Sequence, residues 1–163
     1  MSQQDTHGFS FRPATNKDGS IVLSIMTEIL LKYGLKQIQQ PTDTIDDDLS
    51  DIEKNYFANH GHFEVVEHND EIVGSFGIYR ISESMCELRK MYLKEECRGK
   101  GLGRQMLERA LDKAKELGYE QCELETATVL KEAIALYEKF GFREVKPQGQ
   151  LCSRCDLLMI KDL

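Results

Sequence analysis

A glycine-rich turn near the middle of the chain restricts the fold more than any other feature of the sequence. Gly99, Gly101 and Gly103 separate a segment that alternates like a strand from a segment with the apolar spacing of a helix. The apolar positions of that helix are Leu107, Ala110, Leu111, Ala114 and Leu117, with Gly118 as a suitable end. Amides at the start of a helix have no partner within the helix and attract anions. The pattern therefore predicts a strand, a turn and a helix that together form a phosphate-binding site.

Three known phosphate-binding motifs can be compared with this turn, to which Arg98, Lys100 and Arg104 add positive charge. The dinucleotide fingerprint requires a glycine at the position of Arg104, and the P-loop requires a G-x-x-x-x-G-K-[ST] run that the sequence lacks. The third motif is Arg-x-x-Gly-x-Gly between a strand and a helix. Arg98, Gly101 and Gly103 match it fully. A glycine-rich turn with solvated charges remains the alternative at this point.

Periodicity along the rest of the chain predicts a mixed α/β fold with helices on the faces of one sheet. Strands are predicted at residues 9–12, 62–68, 71–81, 86–93, 120–126, 142–145 and 156–160. Helices are predicted at residues 22–33, with Asp18 as N-cap and Gly34 as the end, within 36–57, after the glycine turn, and at 130–140. Asn69 and Asp70 predict a tight turn. The segment from 88 to 124 is predicted to be a right-handed parallel crossover.

The composition fits one soluble domain, which we expect to span residues 1–163. The net charge of −7 argues against nucleic acid as a partner, because phosphate binding needs a basic face. No apolar run approaches the roughly 20 residues of a membrane span, so no membrane partner is expected. The first residues lack the basic and apolar regions of a signal peptide, which predicts a cytoplasmic protein.

The five cysteines predict reduced thiols, because an odd count at irregular spacing does not fit a disulfide framework. Cys152 and Cys155 form a single C-x-x-C, which we interpret as a turn cysteine and a strand cysteine, since no second pair follows to complete a zinc site. His60 and His62 are interpreted as a loop that leads into a strand. We therefore expect no metal.

Several segments together resemble the GNAT superfamily of N-acetyltransferases. They are residues 87–93, the glycine turn, residues 124–126 and the run 132–142, which reads Glu-Ala-Ile-Ala-Leu-Tyr-Glu-Lys-Phe-Gly-Phe. The resemblance is close over residues 87–145 and extends loosely to the whole chain through the order of elements. It implies a GNAT-like α/β fold. That fold has a mostly antiparallel sheet of about six to seven strands, a parallel splayed pair, and helices on both faces.

The resemblance also implies a co-substrate, acetyl-CoA, and the residues that bind it. The strand segment Met91, Tyr92 and Leu93 matches the strand whose backbone pairs with the pantetheine arm. The turn matches the pyrophosphate loop of acyl-CoA N-acyltransferases. Its members are Arg98, Gly99, Lys100, Gly101, Leu102, Gly103 and Arg104.

The implied reaction is direct attack of an amine on the thioester within a ternary complex. Tyr137 matches the family tyrosine that donates a proton to the CoA thiolate, although its place on an apolar helical stripe also suits plain core packing. Glu87 matches a position that often supplies a general base. An edge glutamate facing solvent, or catalysis through waters, is the alternative for Glu87.

The acceptor is expected to be a primary amine of unidentified structure. The acidic residues between 43 and 51 lie where the family places its acceptor-lining segment, which suits a cationic substrate, while a solvated helix start is the plainer interpretation. The sequence of the loop 126–133 differs from that of close family relatives, so their acceptor specificity does not transfer to this chain. The resemblance also admits a homodimer. A non-catalytic acyl-CoA-binding module and a nucleotide-binding domain of another type remain as alternative functions.

Overall fold

A computed structural model describes residues 3–4, 8–35 and 44–163, and its central element is one eight-stranded sheet in the order β1-β2-β3-β4-β5-β6-β8-β7. The strands are β1 Gln3–Gln4, β2 Phe9–Pro13, β3 His62–His68, β4 Glu71–Arg80, β5 Met85–Leu93, β6 Gln121–Thr126, β7 Arg143–Val145 and β8 Leu157–Asp162. All neighbouring strands are antiparallel except β5 and β6. The predicted fold class is confirmed, with the two-residue β1 added.

Helices cover both faces of the sheet. They are α1 Gly19–Lys32, α2 Ile52–Asn55, α3 Leu102–Glu116 and α4 Lys131–Lys139, with short 3-10 helices at Asn16–Asp18, Thr44–Asp51, Phe57–Asn59 and Glu95–Cys97. One apolar core joins α3 and α4 to the sheet through residues such as Met106, Leu107 and Tyr137. A second core joins α1 and α2 to the opposite face through residues such as Val22, Ile25 and Ile52.

Asp18 stands at the N-cap position of α1 as predicted, but its carboxylate does not cap that helix. It accepts two hydrogen bonds from the Arg12 guanidinium, at 2.8 and 2.9 Å, and one from the Thr15 amide at 2.8 Å. The Arg12 hydrogen bond outweighs the effect of burial and lowers the pKa of Asp18. The carboxylate therefore joins β2 to the short 3-10 helix that precedes α1.

The predicted second helix is only partly correct. Residues 44–59 form two 3-10 helices around the four-residue α2, and residues 36–43 lie outside the described part of the chain. The Asn69–Asp70 turn is confirmed, since both residues adopt left-handed backbone angles (φ 51° and 63°), as a tight hairpin turn of mirror-image type requires.

The parallel pair β5–β6 explains how the sheet opens. Its register holds for only three residue pairs, which are Met85–Gln121, Cys86–Cys122 and Glu87–Glu123. Beyond Glu123, β6 continues to pair with β8 as far as Thr126, whereas β5 continues along β4. The two strands therefore separate after Glu87, and the splayed parallel pair implied by the resemblance is confirmed.

The cysteines differ from the prediction. Cys152 and Cys155 form a disulfide, with their Cα atoms 5.2 Å apart, while Cys86, Cys97 and Cys122 are free and buried. Cys155 lies in a turn before β8 and not in a strand, and its amide donates to the Cys152 carbonyl at 2.9 Å. This turn brings the two side chains together, a local geometry that residue spacing alone does not reveal.

Two features are absent from the part of the chain that the structure describes. None of its helices is long and apolar enough to cross a membrane. Within the same residues, no group of three or more metal-ligating side chains lies together.

Candidate active site

A cavity of about 370 Å³ occupies the gap between the separating strands β5 and β6. Its walls are β5 from Glu87 to Leu93, β6 from Leu124 onward, and helices from both faces of the sheet. The C-terminal loop closes one side with Cys152, Arg154 and Cys155. The cavity therefore connects the glycine turn with the middle of the sheet.

The glycine turn presents free amides at one end of the cavity. Gly99 and Gly101 both have φ of 77°, a conformation that glycine adopts without steric cost. Among the residues that the structure describes, none accepts a hydrogen bond from the amides of Gly99, Lys100 or Gly101. The amides of the first turn of α3 also lack a partner, because Gly101 supplies no side-chain cap. The turn therefore leaves backbone donors open at the start of a helix, an arrangement that suits an anion.

The side chains of the turn point in different directions. Arg98 points back into the protein, where Nε donates to the Leu93 carbonyl at 3.1 Å and Nη1 lies 3.5 Å from the Tyr33 hydroxyl. Lys100 lies over the Phe9 ring, and Arg104 pairs with Glu108 on the exposed surface of α3. Leu102 is buried in the core. The anion-binding capacity of the turn therefore comes first from its backbone.

A β-bulge shapes the strand that lines the cavity. Between the pairs Ser75–Tyr92 and Gly77–Arg89, two residues of β5 stand opposite one residue of β4. Lys90, inside the bulge, has a φ of 54°, and its carbonyl accepts a hydrogen bond from Ser75 Oγ at 2.7 Å. Bulges increase the twist of a strand and redirect its side chains. Met91 in the bulge, and Tyr92 and Leu93 directly after it, line the cavity.

Tyr137 lies on the α4 side of the cavity and is 7% exposed. Its ring packs edge-on against Phe142, with 5.8 Å between the ring centroids. No hydrogen bond among the described residues involves its hydroxyl, and the tyrosine also lines the cavity. Burial, and then the nearby Tyr92, raise the pKa of Tyr137, so the phenol keeps its proton at neutral pH. Tyr137 thus belongs to the core and to the cavity at once.

Glu87 lies on the opposite wall and is 7% exposed, so it is not an edge glutamate facing solvent. Its carboxylate accepts a hydrogen bond from Arg89 Nε, and the Arg89 guanidinium stacks over the Tyr79 ring at 3.7 Å. Burial raises the pKa of Glu87 and Arg89 opposes this shift. The result is a buried carboxylate that holds a proton more readily than a solvated glutamate.

A buried ionic cluster of Asp46, Asp48, Lys90 and Arg154 closes the cavity beyond Glu87. Asp46 accepts hydrogen bonds from Arg154 at 2.7 and 3.0 Å and from Lys90 Nζ at 2.9 Å. Asp48 lies 3.3 Å from Lys90 Nζ and accepts a hydrogen bond from the Tyr56 hydroxyl. The interpretation of these acidic residues as a solvated helix start is therefore wrong for Asp46 and Asp48. Sequence reasoning missed Lys90 and Arg154, because their partners lie far away in the chain.

Replacing Asp46 by asparagine is expected to destabilise the protein by about 3 kcal/mol, because it removes the carboxylate that pairs with Arg154 and leaves Lys90 with Asp48 alone. Burial disfavours ionised Asp46, but Arg154 and Lys90 outweigh it and lower its pKa from 3.8 to about 2. The stabilisation is complete above pH 3.8 and is lost as the pH falls towards 2. Urea denaturation at several pH values checks both effects. Asp47→Asn, at an exposed neighbour, is the control, and equal stability of the two variants would contradict the prediction.

The family of the chain follows from comparison with known proteins. The model of the acetyltransferase (GNAT) family matches residues 26–142. The chain belongs to the acetyltransferase (GNAT) family. This confirms the resemblance and the prediction of an acyl-CoA-dependent N-acyltransferase. The matched segment of this GNAT chain contains the bulged strand, the glycine turn, both walls of the splayed pair and Tyr137.

Individual relatives agree with the family. The Escherichia coli K12 protein named "Uncharacterized N-acetyltransferase YjgM" is 37% identical over 138 residues, which are 82% of this GNAT chain and 81% of the relative. An acetyltransferase from Streptococcus agalactiae has a similar fold, with a TM-score of 0.84 and 21% identity over 96% of this chain and 99% of the other. A predicted acetyltransferase from Clostridium acetobutylicum, solved with acetyl-CoA, is 25% identical with a TM-score of 0.70. That match covers 88% of this chain and 96% of the other.

Proposed function

We propose that this protein transfers an acetyl group from acetyl-CoA to a primary amine by direct attack within a ternary complex. The observation that carries the proposal is the continuity of one cavity, which runs from the open glycine turn along Met91–Leu93 to Tyr137 and Glu87. The Clostridium acetobutylicum neighbour was solved with acetyl-CoA, which supports the same co-substrate here.

The amides of the turn and of the first turn of α3 are assigned to the pyrophosphate of acetyl-CoA. Gly99, Lys100 and Gly101 donate from the turn, and Leu102, Gly103 and Arg104 from the helix start, where the helix dipole adds positive potential. Arg98 holds the turn against Leu93 and contributes charge. Met91, Tyr92 and Leu93 are assigned to the pantetheine arm, which extends along β5 where β6 has separated from it.

Tyr137 is assigned as the proton donor to the departing thiolate. The pKa of a thiol is near 8.5, and that of a phenol near 10. Burial raises the pKa of Tyr137 further, so the phenol stays protonated until negative charge develops on the sulfur. Hydrogen-bond donation to that charge lowers the barrier for breaking the C–S bond. Once the proton has moved to the sulfur, the thiol leaves neutral, and the Tyr137 phenolate takes a proton back from solvent before the next turnover.

Glu87 is assigned as the general base, acting directly or through a water. Glu87→Gln is expected to lower kcat/KM by about 10²-fold, the scale of general-base catalysis. The activity of the unaltered enzyme requires ionised Glu87, so it falls as the pH drops through the Glu87 pKa. That loss occurs at higher pH than for a solvated glutamate, because burial raises this pKa. The measurement is the pH profile of kcat/KM for both proteins.

Glu83→Gln is the matched control for Glu87→Gln. Glu83 is exposed in the hairpin between β4 and β5 and does not line the cavity. The control should keep the activity and pH profile of the unaltered protein. An acid limb that survives unchanged in Glu87→Gln would remove Glu87 from the mechanism and favour bound water as the base.

The acceptor is proposed to be an amine that enters on the α1 side of the sheet. Glu87, Glu123 and Glu125 alternate with core residues on β5 and β6 and so face that side. Asp46 and Asp48 contribute less attraction for a cation than their sequence suggests, because Lys90 and Arg154 neutralise them. A cytoplasmic location and a homodimer stay predictions.

The experiment that tests the proposed function is a thiol-release screen with acetyl-CoA against amines of differing charge. The proposal predicts amine-dependent release of coenzyme A with at least one acceptor class and formation of the N-acetyl product by mass spectrometry. Binding of coenzyme A with no turnover across the panel would instead support a non-catalytic acyl-CoA-binding module.

A further inference from the structure

The Cys152–Cys155 disulfide lies in the wall of the cavity, and the proposed reaction does not use it. Both cysteines are half-buried and line the same space as Tyr137 and Met91. The free cysteines Cys86, Cys97 and Cys122 are buried and do not line the cavity. Within the described residues, the cysteine sulfurs that border this cavity are therefore those of the disulfide.

Two hydrogen bonds attach the disulfide loop to the strand that opens for the pantetheine arm. The Cys152 amide donates to Glu125 Oε1 at 3.1 Å, and the Asp156 amide donates to the Thr126 carbonyl at 3.0 Å. Two further hydrogen bonds, both 2.8 Å long, run from Thr128 to the Asp156 carboxylate. The loop is thus fixed at the end of β6, directly beside the gap between β5 and β6.

The loop also reaches across the cavity towards the proposed thiolate position. Arg154, between the two cysteines, lines the cavity together with Tyr92 and Tyr137. Tyr137 is the residue assigned to the coenzyme A sulfur. The disulfide, Tyr92 and Tyr137 therefore border one continuous cavity.

We propose that the Cys152–Cys155 disulfide is a thiol–disulfide exchange site whose reaction partner is the free thiol of coenzyme A bound in the same cavity. This inference rests on the proposed function, because that function places the thiol at Tyr137. Acyl transfer produces this thiol in place, at the moment when the thioester no longer blocks the sulfur. Exchange requires the thiolate form of the attacking thiol and access to one disulfide sulfur.

The exchange needs no further oxidant or reductant, because the Cys152–Cys155 disulfide is reduced while the coenzyme A thiol is oxidised to the disulfide level. The coenzyme A thiolate attacks one sulfur of the pair and forms a new S–S bond with that cysteine. The Cys152–Cys155 bond breaks, its electron pair leaves on the other sulfur, and that thiolate takes up a proton equal to the one the coenzyme A thiol lost. The product is a mixed disulfide and one free cysteine. A second coenzyme A thiol can then release coenzyme A disulfide and leave the dithiol.

The test starts from protein purified without reductant, with the intact mass two hydrogens below that of the fully reduced chain. It is incubated with coenzyme A or with an equal concentration of glutathione, quenched with acid, and analysed by non-reducing mass spectrometry. Loss of the disulfide, as adduct or dithiol, is expected to be at least about tenfold faster with coenzyme A, because binding raises the local thiol concentration. The rate should saturate with coenzyme A, and acetyl-CoA should inhibit it by competition.

Several results would overturn the proposal. They are absence of the disulfide, equal rates with coenzyme A and glutathione, insensitivity to acetyl-CoA, and adducts that map to Cys86, Cys97 or Cys122. In the unaltered protein, the free cysteine of the pair can attack the mixed disulfide and re-form the Cys152–Cys155 bond. The single variants Cys152→Ser and Cys155→Ser are therefore each tested with coenzyme A disulfide. At least one should form a stable mixed disulfide faster than it does with glutathione disulfide. Calorimetric binding of coenzyme A without fast exchange overturns this proposal alone, whereas no binding also removes the proposed function.

Discussion

Tyr137→Phe is expected to lower kcat by about 10²-fold or more while the dissociation constant of coenzyme A stays within about twofold. Phenylalanine keeps the ring that packs on Phe142 in the α4 core and removes only the hydroxyl that faces the cavity. Without that proton donor, the sulfur must leave as an unprotonated thiolate. Thiol release under saturating acetyl-CoA and amine measures kcat, and calorimetry measures binding.

Tyr119→Phe is the matched control for this prediction. Tyr119 is also buried, but its hydroxyl donates to the His60 carbonyl at 2.6 Å and does not line the cavity. The control should lose some stability and keep its turnover. A Tyr137→Phe variant that turns over as fast as the unaltered enzyme would remove the tyrosine from the mechanism and leave it a core residue.

Gly101→Ala is expected to weaken coenzyme A binding by about tenfold, because a left-handed conformation costs a side-chain-bearing residue roughly 1–2 kcal/mol. Gly101 has φ of 77° at the N-cap of α3, and a Cβ there meets no atom within 4 Å. The cost is therefore backbone strain and not a clash. The turn would rearrange, and its amides would no longer converge on the pyrophosphate. Calorimetry with coenzyme A measures the change in affinity.

Gly118→Ala makes the same kind of change at the other end of α3. Gly118 has φ of 90°, also with no atom within 4 Å of an added Cβ, and it does not line the cavity. Both variants should lose similar stability in urea denaturation, and only Gly101→Ala should lose affinity. Equal affinities in the two variants would show that the turn geometry does not govern binding.

Strong local patterns made most of the fold predictable from sequence. The alternation that predicts β3 gives its observed bounds, His62–His68, and glycines at 34, 118 and 141 follow three of the helices with positive φ. The structure of the acidic segment between residues 43 and 51 is harder to predict, because a run of aspartates indicates a helix start whether its carboxylates are solvated or buried. Asp46, within its 3-10 helix, pairs with Arg154, 108 residues away.

The candidate site was predictable where backbone conformation determines it. Gly99, Gly101 and Gly103 indicate the open turn. The position of Tyr137 follows from the apolar stripe of its helix and from the family resemblance. The Arg98 contact with the Leu93 carbonyl, the bulge at Lys90 and the Cys152–Cys155 bond were not predictable. Each depends on a tertiary approach or a local turn for which the sequence carries no distinct signal.

Calorimetric titration with coenzyme A tests the central claim most directly, because that claim is an open set of amides that binds the pyrophosphate of a thioester carrier. The account predicts saturable heat with one coenzyme A per chain, much weaker binding of NAD and ATP, and loss of affinity in Gly101→Ala. No saturable heat with coenzyme A, or tight binding of NAD or ATP in its place, would contradict it.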